Sequence, residues 1–563
     1  MANVNNGTIL NAYPDSLGGH LAYITELLSS PALQGAFDCF YILPSLFNYD
    51  LDRGFSIISY DINHELADAS QLHTLKENGI SLKLDLVLNH LSVLSPQFQS
   101  ILKEGKQSPY ADFFINWNDF WAHHGKMTPE GYIQPDQELI ADMFFRKPGL
   151  PLLMVRMPDG KNVPYWNTFY QDIRYPRLDA QDVMACANIQ YVRAQHLAER
   201  INCALDEGKT PEQIDWTNDT DTRESLCNYL ESHRKYLGQM DVNLSSEKVW
   251  NFYRETIRQL ADYGASIIRL DAFAYAAKAL GKRNFFNEPE TWDALERLRQ
   301  IAQEYNLVLL PEIHATYTEG LYLKLAQKGY AVYDFFLPGL LIDAIENHTS
   351  QFLSQWAHEL LEKQIRTVNM LGCHDGIPML DLRGLLPMER IQNLIDLMVS
   401  RGGMVKDLHG QKNMYYQVNT TYYSALGMDD RKLLLARAVQ LFMPGKPQVW
   451  YLDLLAGSND YDAVLHGGAA GHKEINRTNL TREQTESALQ KPVVQKQLSL
   501  LRMRNMSPAF SEDAQCKIDT PSSTELSLSW LKGSYRASLH VDFASCTFTA
   551  EADLPRGSFY MKA

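Results

Sequence analysis

The chain is constrained above all by a rhythm of short apolar runs that alternate with helical stretches. Thr8–Tyr13, Phe37–Pro44, Ile80–Leu88, Ser266–Leu270, Leu307–Ile313, Ala331–Phe335, Arg366–Leu371 and Val449–Leu452 each read as a strand. Apolar, largely β-branched runs bounded by turn residues suit strands buried on both faces. Helical patterns lie between them, among them 66–77, Lys248–Tyr263, Thr291–Tyr305 and Leu321–Lys328. Strand and helix in alternation mean βαβ units and a parallel sheet, and the right-handed crossover rule leaves an open sheet or a barrel. Eight strand candidates match a closed (β/α)8 barrel, so the expected class is α/β with a TIM-barrel core.

With 563 residues the chain is longer than such a barrel needs, and the rhythm breaks in three places. The expected layout is barrel over 1–91, 247–375 and 428–505. An excursion occupies 92–246, including a helical insertion at 176–238 with helix candidates at Asp179–Leu205 and Glu224–Leu237. A second excursion occupies 376–427. Alternating runs such as Leu526–Trp530 and Ala537–Val541 predict a small antiparallel β domain over 506–563.

Four of the strand ends carry polar side chains: Asp85 to His90, Arg269 to Asp271, Glu312 to His314, and His374-Asp375. In a barrel such ends meet on the C-terminal face, where catalytic groups collect. Arg269 and Asp271 point the same way from one strand. Alone they could be a structural ion pair capping it, or a carboxylate kept ionised for nucleophilic attack. Four converging ends with a carboxylate on each favour the second reading. Asp85 sits deeper in its strand and is given a supporting part.

Seven scattered cysteines without a CxxC pair suggest neither a disulfide framework nor a zinc site, and no metal or cofactor is expected. Carboxylates without metal spacing suggest glycosidic-bond chemistry. Asp271 is the expected nucleophile, because Arg269 should lower its pKa. Glu312 is the expected acid, because its apolar run should raise it. Asp375 is left to steady an oxocarbenium-like sugar. A net charge of −15 argues against nucleic acid or an anionic membrane as partner. The N-terminal residues show no signal-peptide pattern and no run is long enough to span a bilayer, so a cytoplasmic protein is expected.

The segments Asp85–His90, Arg269–Ala272, Glu312 and His374-Asp375 resemble the four signature regions of the α-amylase superfamily, glycoside hydrolase family 13. Tyr13–Gly18, Asp52–Phe55, Glu312–His314, Tyr333–Phe335 with Leu337-Pro338, His374–Ile377, Tyr416–Asn419 with Thr421–Leu426, Gly457–Asp460 and Glu474–Arg477 are similar to its sucrose phosphorylase and sucrose 6-phosphate phosphorylase group. The likeness spans nearly the whole chain apart from 176–238. It implies a retaining hexosyltransferase with Asp271 as nucleophile, Glu312 as acid/base and Asp375 as transition-state stabiliser. It also implies a glucose subsite of Asp52, Phe55, His90, Arg269, Tyr275, His374 and Arg477, with Phe169 as aromatic platform. Gln239, His314, Tyr416 and Gln417 would border the acceptor subsite, and Arg146 and Lys147 would meet phosphate or the leaving sugar.

Met414 stands where many sucrose phosphorylases carry an Asp, which with Lys412 and His409 nearby opens the subsite to an anionic acceptor. Tyr416 resembles the members that act on unphosphorylated sucrose. The expected substrates are therefore sucrose and inorganic phosphate, with sucrose 6-phosphate or a glucoside such as glucosylglycerate as alternatives. A monomer or homodimer is expected. The competing class is a non-catalytic carbohydrate-binding barrel, from which the retained Asp271, Glu312 and Asp375 argue away.

Overall fold

A computed structural model describes residues 7–407 and 415–563, and the chain forms two compact units. The first comprises residues up to Asn89, Gln137–Pro148 and Val242–Ala563; the second comprises His90–Asp136 and Gly149–Asp241.

The first unit is built on an eight-stranded parallel sheet: β1 Ile9–Ala12, β2 Cys39–Ile42, β3 Ser81–Val87, β4 Ala265–Asp271, β5 Val308–Pro311, β6 Val332–Asp334, β7 Thr367–Met370 and β8 Lys446–Trp450. Their order is β5-β4-β3-β2-β1-β8-β7-β6, with β5 and β6 lying alongside each other to bring the ring near closure. All eight expected strands are present, and the (β/α)8 barrel is the fold. The helices bury one stripe each. In Glu247–Asp262, Val249, Trp250, Tyr253, Ile257 and Leu260 face inward at helical spacing, and Ser246 caps the first turn by accepting from the Lys248 N–H at 3.3 Å. Ile268 and Leu270 of β4 are fully buried. Truncating either to Ala would cost about 2–5 kcal/mol of stability.

Residues 515–562 form a five-stranded antiparallel meander. Leu526, Leu528 and Trp530 alternate inward and pair in register with Val541, Leu539 and Ala537. The Trp530 indole N–H donates to the carbonyl of Phe442 at 2.8 Å, tying this sheet to helix Asp430–Phe442.

In the second unit, strand Lys235–Asp241 pairs antiparallel with both Gln171–Arg174 and His90–Ser92. Helices Ala180–Ala187, Tyr191–Asp206 and Arg223–Ser232 pack around a core of Val183, Leu197, Ile201, Trp216, Leu226 and Leu230. Two expectations fail here. The helical pattern Asp179–Leu205 is two helices, split at Asn188, which adopts the left-handed conformation. The helix expected over Glu224–Leu237 stops at Ser232, because Tyr236 and Leu237 are paired strand residues, opposite Ile173 and Asp172. Among the described residues, no helix is long and apolar enough to cross a membrane.

Candidate active site

The C-terminal ends of the barrel strands gather the expected carboxylates around one cation. Arg269, on β4 and opposite Asp85 of β3, is buried. Its Nη1 contacts Asp85 and lies 2.9 Å from Asp271 Oδ1, while its Nη2 lies 2.5 Å from Glu312 Oε2. Asp271 is the last residue of β4. Ala272 then turns into the left-handed region (φ 52°), and Tyr275 follows in the short helix Phe273–Ala276.

A second cation organises the other side. Arg477 Nη2 lies 3.6 Å from Asp375 and Nη1 3.8 Å from Asp52, and its Nε donates to the His374 carbonyl at 2.8 Å. Asp52 and Arg53 both have positive φ (51° and 48°), a costly conformation for side chains of this size. Arg53 is held there by Asp15 at 3.1 Å and by the Arg477 carbonyl at 2.9 Å. The next residue must be glycine: at φ 112°, a Cβ on Gly54 would sit 2.1 Å from the Ser45 nitrogen. The strained turn presents Asp52 to Lys473 at 2.9 and 3.0 Å. Phe55 stacks on His374 with centroids 5.0 Å apart, beneath the Arg269 guanidinium at 5.4 Å.

The residues of this unit expected to border the acceptor are also held by neighbours. His314 stacks on Phe335 at 3.9 Å, with Nδ1 3.4 Å from Asp381 and Nε2 3.8 Å from Glu312. Gln417 is buried in strand Tyr415–Asn419, opposite Pro378 and Lys406, and Asn419 of that strand donates to the Asp375 carbonyl at 2.8 Å. Half-buried Arg146 lies over the Tyr275 ring at 5.8 Å, with half-buried Lys147 next to it in sequence. His90, Phe169 and Gln239 belong to the second unit. There the His90 and Phe169 rings meet at 5.1 Å, and Gln239 Oε1 accepts from the Tyr170 N–H at 3.2 Å. Only the backbone of Tyr416 is described; His409, Lys412, Asn413 and Met414 lie outside the described residues.

The electrostatics overturn one expectation. Burial, reinforced by the charges of Glu312, Asp85 and Asp375, pushes Asp271 well above the usual carboxylate range, although Arg269 pulls it down. Glu312 is also driven up by burial, but Arg269 and then His314 outweigh this and hold it low. The expected directions, Asp271 low and Glu312 high, are thus reversed, because Arg269 serves both groups and His314 adds to Glu312 alone. Asp375 is driven up by burial but held well below its ordinary value, first by His374 and then by Arg477. Asp52 is lowered to about 2 by Lys473 and Arg477 against burial. His314 is raised by Asp381 and Glu312, again against burial.

Burial lowers His374 to about 4, so its ring is neutral at pH 7. The unfolded chain, with a histidine pKa near ~6.5, binds more protons than the folded one between those values. The stability present above the unfolded value is therefore lost as pH falls through this window. Melting temperatures measured between about pH 7 and 4 should fall more steeply for the wild type than for His374→Gln; parallel curves would refute the assignment.

Three contributors have no role assigned from the sequence: Lys473 pairs with Asp52, Asp381 raises the His314 pKa against burial, and Phe335, though within the matched Tyr333–Phe335 motif, supports that ring. Lys473 immediately precedes the Glu474–Arg477 motif, which was the available signal; Asp381 lies in a short turn with no periodicity to mark it.

No family model matches the chain. It is 49% identical over 557 residues to the sucrose 6(F)-phosphate phosphorylase of Ilumatobacter coccineus, covering 97% of this chain and 96% of that protein. It is 31% identical to the sucrose phosphorylase of Streptococcus mutans, over 92% and 91% of the two chains. Its structure matches the crystal structure of sucrose 6F-phosphate phosphorylase from Thermoanaerobacter thermosaccharolyticum with a TM-score of 0.80 at 31% identity, covering 100% and 98%. The chain belongs to the family of sucrose and sucrose 6(F)-phosphate phosphorylases, glycosyl-transferring enzymes.

Proposed function

We propose that the protein transfers the glucosyl group of sucrose to inorganic phosphate with net retention. The observation that carries this reading is the pair Asp271 and Glu312 on the two arms of one buried guanidinium, with Asp375 and Asp52 held by a second. In the first step an Asp271 oxygen attacks the anomeric carbon, the bond to the fructosyl oxygen breaks, and Glu312 gives that oxygen its proton. In the second, an oxygen of hydrogen phosphate attacks the same carbon, its proton passes to Glu312, and Asp271 leaves as carboxylate. The product is α-D-glucose 1-phosphate. One proton must therefore reside on the Asp271–Glu312 pair before each first step. Burial pushes Asp271 up while Arg269 and His314 hold Glu312 low, so this reading requires sugar binding to favour the proton on Glu312. Asp375, ionised beside His374 and Arg477, suits a stabiliser of positive charge on the ring.

The 49% relationship to a sucrose 6(F)-phosphate phosphorylase supports a second reading, in which the fructosyl group carries phosphate. Tyr416 favours the first. Specificity constants for sucrose, sucrose 6-phosphate and glucosylglycerate at saturating phosphate decide between them; a preference of about a hundredfold, or ~2.7 kcal/mol, for an anionic glucoside would overturn the first. In either case, Arg146→Ala or Lys147→Ala should slow phosphorolysis at least about tenfold while leaving slow hydrolysis of the same donor nearly unchanged. Equal losses in both reactions would remove these cations from the phosphate subsite.

A further inference from the structure

Lys83 is a lysine inside the barrel. It alternates with Asp85 along β3, so both point to the same face, and lies one layer deeper, opposite Ile267 where Asp85 is opposite Arg269. Its side chain is buried. Nζ donates to Tyr333 Oη and to Gln448 Oε1, each at 2.5 Å, and rests over the rings of Tyr41 at 4.1 Å and Tyr333 at 4.5 Å. Tyr41 in turn donates its hydroxyl to Asp85 Oδ1 at 3.1 Å, on the carboxylate that contacts Arg269. A buried ammonium is costly unless something balances it. Among the described residues no carboxylate is a hydrogen-bond partner of Nζ; the nearest balance is the carboxylate cluster one layer up.

We propose that Lys83 is a positioning residue for glucosyl transfer: a buried cation below Asp85 that shares with Arg269 the offsetting of that carboxylate, while Arg269 also holds Asp271 and Glu312. This rests on the reading that those two groups carry the reaction. The ionic groups in reach balance in this way. Asp85, Asp271 and Glu312 set three carboxyl groups against the two cations Lys83 and Arg269; burial raises Asp85 while Arg269, Tyr41 and Lys83 pull it down, and the mechanism places a single proton on the Asp271–Glu312 pair. That proton is the one the leaving sugar takes. The other titratable groups facing Lys83 are Cys39 of β2, Tyr41 and Tyr333, and burial keeps the phenols and the thiol protonated. Burial, then Arg269, lowers Lys83 itself to about 7, so its charge is available at and below neutral pH.

The test is the pH profile of kcat/KM for Lys83→Met, which removes the charge at similar volume, and for Gln448→Glu, which keeps Lys83 but cancels its charge locally. Both should move the acid limb to higher pH by about half a unit or more, since a lost cation makes the carboxylates hold protons more tightly. A merely structural lysine would lower activity without moving the limb. If Lys83→Met does not fold, Gln448→Glu decides. Limbs that superimpose on the wild type in the folded variants overturn the proposal. A wild-type protein inactive towards sucrose, sucrose 6-phosphate and glucosylglycerate would instead overturn the reading on which it rests.

Discussion

Replacing Asp271 with Asn should lower phosphorolysis by at least about 10⁴-fold while leaving the fold intact. The amide has nearly the shape of the carboxylate, and Arg269 keeps its contacts with Asp85 and Glu312, so β4 loses no packing. What disappears is the oxygen able to form an ester with the anomeric carbon. A fluorinated glucosyl donor, which forms that ester but discharges it slowly, should label the wild type on the peptide containing Asp271 and leave Asp271→Asn unlabelled. Mass spectrometry of the digest reads the site directly. A label on Glu312 or Asp375, or undiminished turnover by the variant, would defeat the assignment of the nucleophile. The raised pKa of Asp271, caused first by burial, adds a second expectation: labelling should slow on the acid side, where Asp271 is protonated.

Much of this arrangement is legible in the chain because a parallel barrel writes each strand as a short apolar run and each functional residue at its end. Ile267-Ile268 followed by Arg269 and Asp271, or Leu309-Leu310 followed by Glu312, shows both the element and the site. The direction of the pKa shifts is not legible in the same way. Arg269 lies two residues before Asp271 on the same face of the strand, which makes Asp271 the natural beneficiary of its charge. In space the guanidinium forks, and Glu312 takes its second arm together with His314. Lys83 was invisible for a related reason, since a single polar residue in a strand says nothing about its depth until the neighbouring strands bring Tyr333 and Gln448 to it. The overlong helix reading at Glu224–Leu237 has a local cause. Leu226, Leu230 and Leu237 fall near helical spacing, but pairing with Gln171–Arg174 and His90–Ser92 overrides that pattern after Ser232.

Replacing Glu312 with Gln should separate protonation of the leaving group from attack on the sugar. With sucrose, whose fructosyl oxygen leaves poorly unless protonated, kcat/KM should fall by about 10³-fold or more. With α-D-glucosyl fluoride, whose leaving group needs little help, the loss should be no more than about tenfold. The variant also changes the charge around Arg269. The Gln carbonyl can still accept from Arg269, but the negative charge that raised Asp271 is gone. Asp271 should therefore ionise more easily, and the acid limb of the residual fluoride reaction should move to lower pH, the opposite of the shift expected when Lys83 loses its charge. Phosphate should still discharge the ester, since it is already anionic, whereas a neutral acceptor such as fructose needs Glu312 to take its proton. Glucosyl fluoride plus phosphate should thus yield glucose 1-phosphate where glucosyl fluoride plus fructose yields almost no disaccharide. Equal losses for sucrose and the fluoride would show that Glu312 supports the site without supplying the proton, and His314, 3.8 Å away, would then be the group to test.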